Sequence, residues 1–448
     1  MTDTLTVLAP GQPWTSVRGR SLVLVDDQWY AEELFEKAAA QVEAGPGVER
    51  VDRDGKGGFI LAQSHRDELN AIRTCDARVL LFVSTDTDVK TLMSVARKCP
   101  GATFIVHPTT DQSAVEALTD GGIPFELYRD FKPGRGKADL ALLTNDWGFE
   151  RRAFLAGCRR HGIRTVCLQE AANVDFDGPP HRMRWADIAL LQGPHALAYL
   201  HRDNCMLTGN PRFDDFEPLP IPEKPVVLIN CNFIFGFAFL ELARRWTEEV
   251  VHAVESLGLP YRITVHPRDE TDLRGIEHVQ SSGAYKVRDQ LAQCSVLVSR
   301  DSSLPYEALR LNRRAVYYDP FGEKERCLRE DDTGFIEKCV TPGELRACLE
   351  KVIRKPPPEQ AREQFDRASQ YLCTSGDGHC DLRVIRALHT IASHPRLYTG
   401  SDALKQASTI IVLNRFLHVS LRPRLRKITW LRALWRAAKR LRMKSSRF

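Results

Sequence analysis

The sequence has no C-x-x-C among its twelve cysteines, no low-complexity tract and no internal repeat of solenoid period. It also lacks any run of about 18 uncharged apolar residues, so no membrane-spanning helix is expected. The cysteines are scattered singly, several inside apolar runs (Cys167, Cys231, Cys294). That pattern fits reduced, buried thiols and argues against a disulfide framework. The nearest approach to a metal cluster, Cys373, His379 and Cys380, has the spacing of no common zinc site. The opening MTDTLTVLAPGQPW has no basic segment leading into an apolar run, so no secretory signal is expected and the chain is read as cytoplasmic.

What is present begins with size. A chain of 448 residues exceeds the roughly 250–300 at which one hydrophobic core stops growing, and 43% hydrophobic residues supply material for two cores. The net charge of +5 is unevenly placed: Arg415 to Phe448 holds twelve Lys/Arg and no acid. Without them the body carries 51 cations against 58 acids. Basicity confined to a tail does not suit a nucleic-acid-binding face, so no nucleic-acid partner is expected.

Apolar runs alternate with helical stretches. In the first half the strand candidates are Ser21–Val25, Arg78–Val83, Thr103–Val106, Asp139–Thr144, Arg164–Leu168 and Ala186–Leu191, with a helix around Glu32 to Val42. Continuous apolar runs separated by helices indicate parallel strands covered on both faces. The proline-rich stretch Phe216 to Lys224 reads as a linker. A second series follows: strands at Pro225–Asn230, Tyr261–Val265, Ser295–Ser299 and Arg314–Tyr318, and helices near Phe239–Ser256 and Tyr306–Leu311. The predicted organisation is α/β, with a Rossmann-like lobe over 1–215, a second over 216–390 and C-terminal helices with a basic tail over 391–448.

Polar clusters fall just after these strands, where ligands bind in such sheets. They are Thr208-Gly-Asn-Pro-Arg-Phe-Asp214, Asn230-Cys-Asn232, His266-Pro-Arg-Asp269 and Ser299-Arg-Asp-Ser-Ser303 followed by Glu307. A helix starting near Ser303 would turn backbone N–H groups toward an anion. His107-Pro108 repeats the local pattern in the first lobe and reads as a structural turn. Asp86-Thr-Asp88 and Asp175-Phe-Asp177 have the form of a metal-binding D-x-D, a triplet common by chance.

The order G-N-P-R-F-D, N-x-N-F, V-H-P-R-D and S-R-D-S-S-L-P-Y-E-A resembles GT-B enzymes, and among them bacterial surface-polysaccharide glycosyltransferases that use CMP-activated acidic sugars of the Kdo and sialic acid type. UDP-GlcNAc 2-epimerases and CDP-glycerol polyol-phosphate transferases share parts of the pattern. The resemblance covers roughly Leu143 to Pro320. It implies donor contacts from His266, Ser302 and Ser303 to phosphate and from Glu307 to the ribose, with Asn210 and Arg212 at the lobe junction. Arg268 and Asn230 are further donor-side candidates by position. Glu170 occupies the place of a catalytic carboxylate, although Gln169-Glu-Ala-Ala-Asn173 lacks the usual acidic pair and glycine. Asn232 and Asp301 are the other catalytic candidates. The resemblance also implies leaving-phosphate stabilisation by helix dipoles and basic groups, with no metal and no cofactor. The expected function is transfer of a sugar, CMP-Kdo being the preferred donor, to a lipid-linked or growing surface glycan. The alternatives are CDP-glycerol phosphotransfer, 2-epimerisation, or an inactive binding subunit of a polysaccharide assembly complex.

In ITWLRALWRAAKRLRM, Leu431, Leu434, Trp435, Ala438 and Leu441 share one helical face, and Arg432, Arg436, Lys439 and Arg440 the other. This is the pattern of an interfacial helix, and it predicts peripheral attachment to anionic lipid of the inner leaflet.

Overall fold

A computed structural model of the chain describes residues 4–6, 21–23, 42–43, 48–53, 56–61, 72–107, 112–170, 183, 185–192, 205–233, 240–266, 269, 271–281, 286–300, 302–322, 336–354 and 378–393. Strands β1 (Thr4–Thr6), β2 (Ser21–Val23), β3 (Val42–Glu43), β4 (Val48–Arg53) and β5 (Lys56–Leu61) form a sheet of their own, ordered β1-β2-β5-β4-β3. Ser21–Val23 thus lies outside the parallel sheet of the first lobe, where the sequence pattern suggested it. An apolar run reports burial; it does not name the neighbouring strand. The helix expected around Glu32 to Val42 lies outside the described residues, apart from Val42, which is in β3.

The first lobe is built from β6 (Val79–Val83), α1 (Asp86–Lys98), β7 (Ala102–Val106), α2 (Ser113–Asp120), β8 (Phe125–Leu127), β9 (Leu140–Leu143), α3 (Phe149–Arg160), β10 (Arg164–Leu168), β11 (Ile188–Leu191) and β12 (Cys205–Leu207). The strands are parallel, in the order β12-β11-β10-β9-β6-β7-β8. Each residue of β6, β9 and β11 is buried, as two covered faces require. Helix α1 starts on a capping box: Thr85 accepts from the Asp88 N–H, and the Asp88 side chain reaches back to the Thr85 N–H. Val89, Leu92 and Val95 then face the sheet at helical spacing. Asp86 and Asp88 are therefore first-turn residues of a helix.

The second lobe comprises β13 (Val227–Cys231), α4 (Leu240–Glu255), β14 (Tyr261–Val265), β15 (Val279–Ser281), α5 (Lys286–Ala292), β16 (Val296–Ser299), α6 (Leu304–Arg310), β17 (Arg314–Tyr318), β18 (Ile336–Cys339) and α7 (Pro342–Arg354). Its parallel sheet runs β15-β14-β13-β16-β17-β18. Two apolar clusters cover its faces, one around Leu297 and Tyr306, the other around the fully buried Trp246. The Trp246 indole N–H donates to the Tyr318 carbonyl at 3.1 Å, which satisfies the ring's one polar group inside the core. In both lobes the strand order reverses beside the first strand, between β6 and β9 and between β13 and β16. Such reversals are where open α/β sheets bind ligands.

The linker at 216–224 is pinned from the second lobe. Buried Arg313 donates to the carbonyls of Leu219 (3.1 Å), Pro220 (3.0 Å), Leu291 (3.2 Å) and Ala292 (2.9 Å). Helix α8 (Cys380–Ser393) returns to the first lobe, where Val384, Ile385, Leu388 and Ile391 join the first-lobe core. The Asp214 carboxylate accepts the Cys380 and Asp381 N–H groups, each at 2.8 Å, and so caps the start of α8. Lys98 pairs with Asp381, and Arg164 donates to the Ile391 and Ala392 carbonyls at the other end. Both ends thus carry the charge that favours the helix dipole. The segment that the sequence assigned to the second lobe up to 390 therefore ends packed on the first. The basic tail beyond Ser393 lies outside the described residues, and among these no helix is long and apolar enough to cross a membrane.

Candidate active site between the lobes

The carboxyl ends of β9, β10, β11 and β12 are tied together by side chains. After β9, the Thr144 hydroxyl donates to Asp88, and the next two residues reach opposite ways. Asn145, 7% exposed, donates through Nδ2 to Glu170 Oε2 at 2.5 Å. Its Oδ1 is buried without a partner among the described residues. Asp146 is fully buried and accepts the N–H groups of Met183 (2.6 Å), Trp185 (2.6 Å) and Ala186 (3.0 Å), which fixes the entry to β11. Glu170 follows β10 and is half-buried. Its neighbour Gln169 accepts the Gln192 N–H at 2.9 Å, joining the ends of β10 and β11.

Asn210 completes the clamp. It is fully buried, and its Nδ2 donates to the carbonyls of Gln169 (3.0 Å) and Glu170 (3.4 Å). Its Oδ1 accepts the Arg212 N–H at 3.0 Å and so starts the 3-10 turn Pro211–Phe213. One short amide therefore fixes both the backbone of the candidate base and the turn that carries Arg212. Glu170 is held by its carbonyl from the β12 side and by its carboxylate from the β9 side.

In the second lobe the switch between β13 and β16 is bridged by Asn230, whose Nδ2 donates to Ser299 Oγ at 2.9 Å. The two residues face each other in register. Ser299 Oγ in turn donates to the Arg300 carbonyl at 3.0 Å. Arg300 donates to the Asn232 carbonyl at 3.0 Å and lies 4.6 Å over the Phe233 ring, a cation–π contact. The Phe233 N–H donates to Asp269 Oδ2 at 2.9 Å, and Asp269 Oδ1 accepts the Thr271 N–H at 2.9 Å. The loops after β13 and β14 are thereby strapped together. His266, half-buried, follows β14 with its backbone N–H on the Cys231 carbonyl at 3.1 Å. Ser302 Oγ accepts the Leu304 N–H at 3.1 Å, while the Ser303 hydroxyl makes no capping bond. Arg268 and Asp301 lie outside the described residues.

Between the lobes, Arg212 Nη2 donates to Glu307 Oε1. Arg212 is 9% exposed and Glu307 1%. Desolvating such a pair costs several kcal/mol, offset only when the remaining donors and acceptors are bonded. Here Arg212 Nε and Glu307 Oε2 are buried without partners among the described residues, each worth roughly 1–3 kcal/mol of unmet hydrogen bonding. Lys90 of α1 lies within electrostatic reach of Arg212, Glu307, Asp215 and Arg288, and burial, then Arg212, pushes its ammonium pKa down. Sequence reasoning placed Glu307 on the ribose and Arg212 at the junction; the geometry joins the two. It did not find Asn145 or Asp146, and it carried Arg300 only as a member of the Ser299–Ser303 cluster. All three follow a strand's carboxyl end, the same signal that flagged the other clusters.

No protein-family model matches the chain, and no curated protein matches it in sequence. Solved structures share its fold. A putative UDP-N-acetylglucosamine 2-epimerase from Listeria monocytogenes matches with 14% identity and a TM-score of 0.50, over 70% of this chain and 95% of that one. The UDP co-structure of S. aureus MnaA matches with 11% identity and a TM-score of 0.51, over 72% and 97%. The Methanocaldococcus jannaschii UDP-GlcNAc 2-epimerase, in complex with UDP-GlcNAc and UDP, matches with 11% identity and a TM-score of 0.51, over 70% and 99%. At these identities the likeness establishes the architecture: the chain has a two-lobed GT-B fold.

Proposed function

We propose that the chain is a glycosyltransferase that moves a sugar from a nucleotide donor to a lipid-linked or growing surface glycan. The second lobe would bind the nucleotide and the first lobe the acceptor. The observation that carries this reading is Glu170: a half-buried carboxylate at a strand's carboxyl end, clamped by Asn145 and Asn210. A general base needs such a fixed position. In the inverting form, Glu170 takes the proton of the acceptor hydroxyl, that oxygen bonds to the anomeric carbon, and the donor's phosphate leaves. In the retaining form a different route handles the anomeric carbon. His266, Ser302 and Ser303 are the proposed phosphate contacts, with Asn230, Arg268, Asn232 and Asp301 around them, and no metal is needed.

CMP-Kdo or a related CMP-sugar is the donor that the motif order supports. UDP-sugar chemistry, 2-epimerisation included, is the second reading, because UDP or UDP-GlcNAc is bound in two of the structures that share the fold. The basic tail would hold the enzyme on anionic lipid. Full-length chain should co-sediment with phosphatidylglycerol vesicles and a chain ending near Val412 should not; equal sedimentation would reject attachment.

Nucleotide release from CMP-Kdo, UDP-GlcNAc and CDP-glycerol, with and without a glycan acceptor, tests the main reading. Acceptor-dependent release that falls by about 100-fold or more in Glu170→Gln supports it. Full activity in that variant removes Glu170 as the base. Acceptor-independent conversion of UDP-GlcNAc favours epimerisation, release from CDP-glycerol favours phosphotransfer, and no turnover leaves a binding subunit. Loss of activity in EDTA with recovery in manganese would overturn the metal-free mechanism.

A further inference from the structure

The lobe junction carries more than a contact. Glu307 presents two carboxylate oxygens to a site that water barely reaches; Arg212 holds Oε1 and Oε2 has no partner among the described residues. An ionised carboxylate only accepts, so the missing partner is a hydrogen-bond donor. The charged groups that act on Lys90 beside the junction are Arg212 and Arg288 against Glu307 and Asp215, so with Lys90 itself that neighbourhood holds a surplus of one positive charge. A cationic donor is disfavoured there. A neutral hydroxyl on an otherwise anionic molecule fits, and a nucleotide offers that combination in its ribose diol and phosphates. Arg212 stands on the rigid turn started by Asn210, so its guanidinium comes from the first lobe while the carboxylate comes from the second.

We propose that Arg212 is a positioning residue of the nucleotide site: by engaging one oxygen of Glu307 across the junction, it presents the other to a ribose hydroxyl, so that ribose recognition and apposition of the lobes are a single event. The proposal rests on the reading of Glu307 as the ribose contact. It makes the first lobe a part of donor recognition, and it makes affinity depend on the sugar of the nucleotide through a residue that does not touch it.

The test is calorimetry with CMP, CDP and UDP and with the 2′,3′-dideoxy form of each, on wild type, Glu307→Gln, Arg212→Met and Arg212→Lys, with thermal melting to confirm folding. Wild type should prefer the ribonucleotide by about tenfold or more, one hydrogen bond's worth of affinity. Glu307→Gln and Arg212→Met should each erase most of that preference while changing dideoxynucleotide binding by less than about twofold, and Arg212→Lys should restore part of it. Equal weakening of both sugar forms in Arg212→Met, or an unchanged preference, would overturn the proposal and leave a purely structural ion pair. Should Arg212→Met not fold, Arg212→Lys decides alone: an intermediate preference supports the proposal and an unchanged one overturns it. Nucleotide binding with no preference in wild type would instead remove the Glu307 reading, and no binding at all would remove the nucleotide site.

Discussion

Asp146 offers the sharpest test of how the first lobe is held together. Its carboxylate is fully buried and accepts three backbone N–H groups, from Met183 and Trp185 at 2.6 Å and Ala186 at 3.0 Å. Met183 has φ +57°, a left-handed conformation that a side-chain-bearing residue adopts only when its surroundings impose it. Trp185 also carries Arg152, 4.0 Å over its ring. In Asp146→Ala all three N–H groups lose their acceptor. Hydrogen bonds to a charged group are worth about 1.5–3 kcal/mol each, and partial hydration of the gap reduces the sum, so the expected loss is about 4 kcal/mol. For a folding unit of this size that corresponds to a fall in melting temperature of about 10 °C. Asp146→Asn keeps one accepting oxygen but turns an amide N–H against the remaining donor, and should fall by about half as much. Asp130, whose side chain is 69% exposed, provides the control: Asp130→Ala should melt within about 1 °C of wild type. Differential scanning calorimetry reads all three. Asp146→Ala melting with wild type would refute the role assigned to the carboxylate.

Asp214→Ala removes the acceptor of the first N–H groups of α8, a loss of roughly 1–2 kcal/mol, so hydrogen exchange in 380–393 should quicken while exchange in β13 and β16 does not; unchanged α8 protection would contradict the cap. Burial holds the His107 imidazole below its ordinary range, with its ring 5.8 Å from Tyr128. The unfolded chain therefore takes up that proton at a higher pH than the folded one. The stability from His107 is complete above about pH 6.5 and is lost as pH falls below it. His107→Gln should flatten that slope in urea titrations across pH 5 to 7, and an unchanged slope would assign it to other groups.

Much of the architecture was legible because a strand buried on both faces has to be a continuous apolar run. Val79–Val83, Leu140–Leu143 and Val296–Ser299 are such runs, and each lies within a segment picked from sequence. Phe125–Leu127, Cys205–Leu207 and Val279–Ser281 are three-residue strands, too short for any period to register. Ile336–Cys339 carries charge at Glu337 and Lys338, which hides it as an edge strand. The site followed the same division. Asn210, Arg212 and Glu307 stood out by their place after a strand or on a helix, yet nothing local says that two of them meet across a junction 95 residues apart in sequence. Asn230 was read as facing a donor, and the structure pairs it with Ser299 of the next strand, a partner that only the register supplies. Asp269, quoted within its motif for the sake of His266, straps two loops through Phe233 and Thr271.

The proposed nucleotide site is formed by the second lobe's loops and completed at the lobe junction. Calorimetric titration of the full chain with CMP, CDP, UMP, UDP and GDP, alongside His266→Ala, tests it most directly. The full chain should bind one base selectively, CMP first, and that binding should be lost in His266→Ala while the variant melts as wild type does. Selective UDP binding would keep the site and move the donor to a UDP-sugar, whereas no binding to any of the five would contradict the proposal.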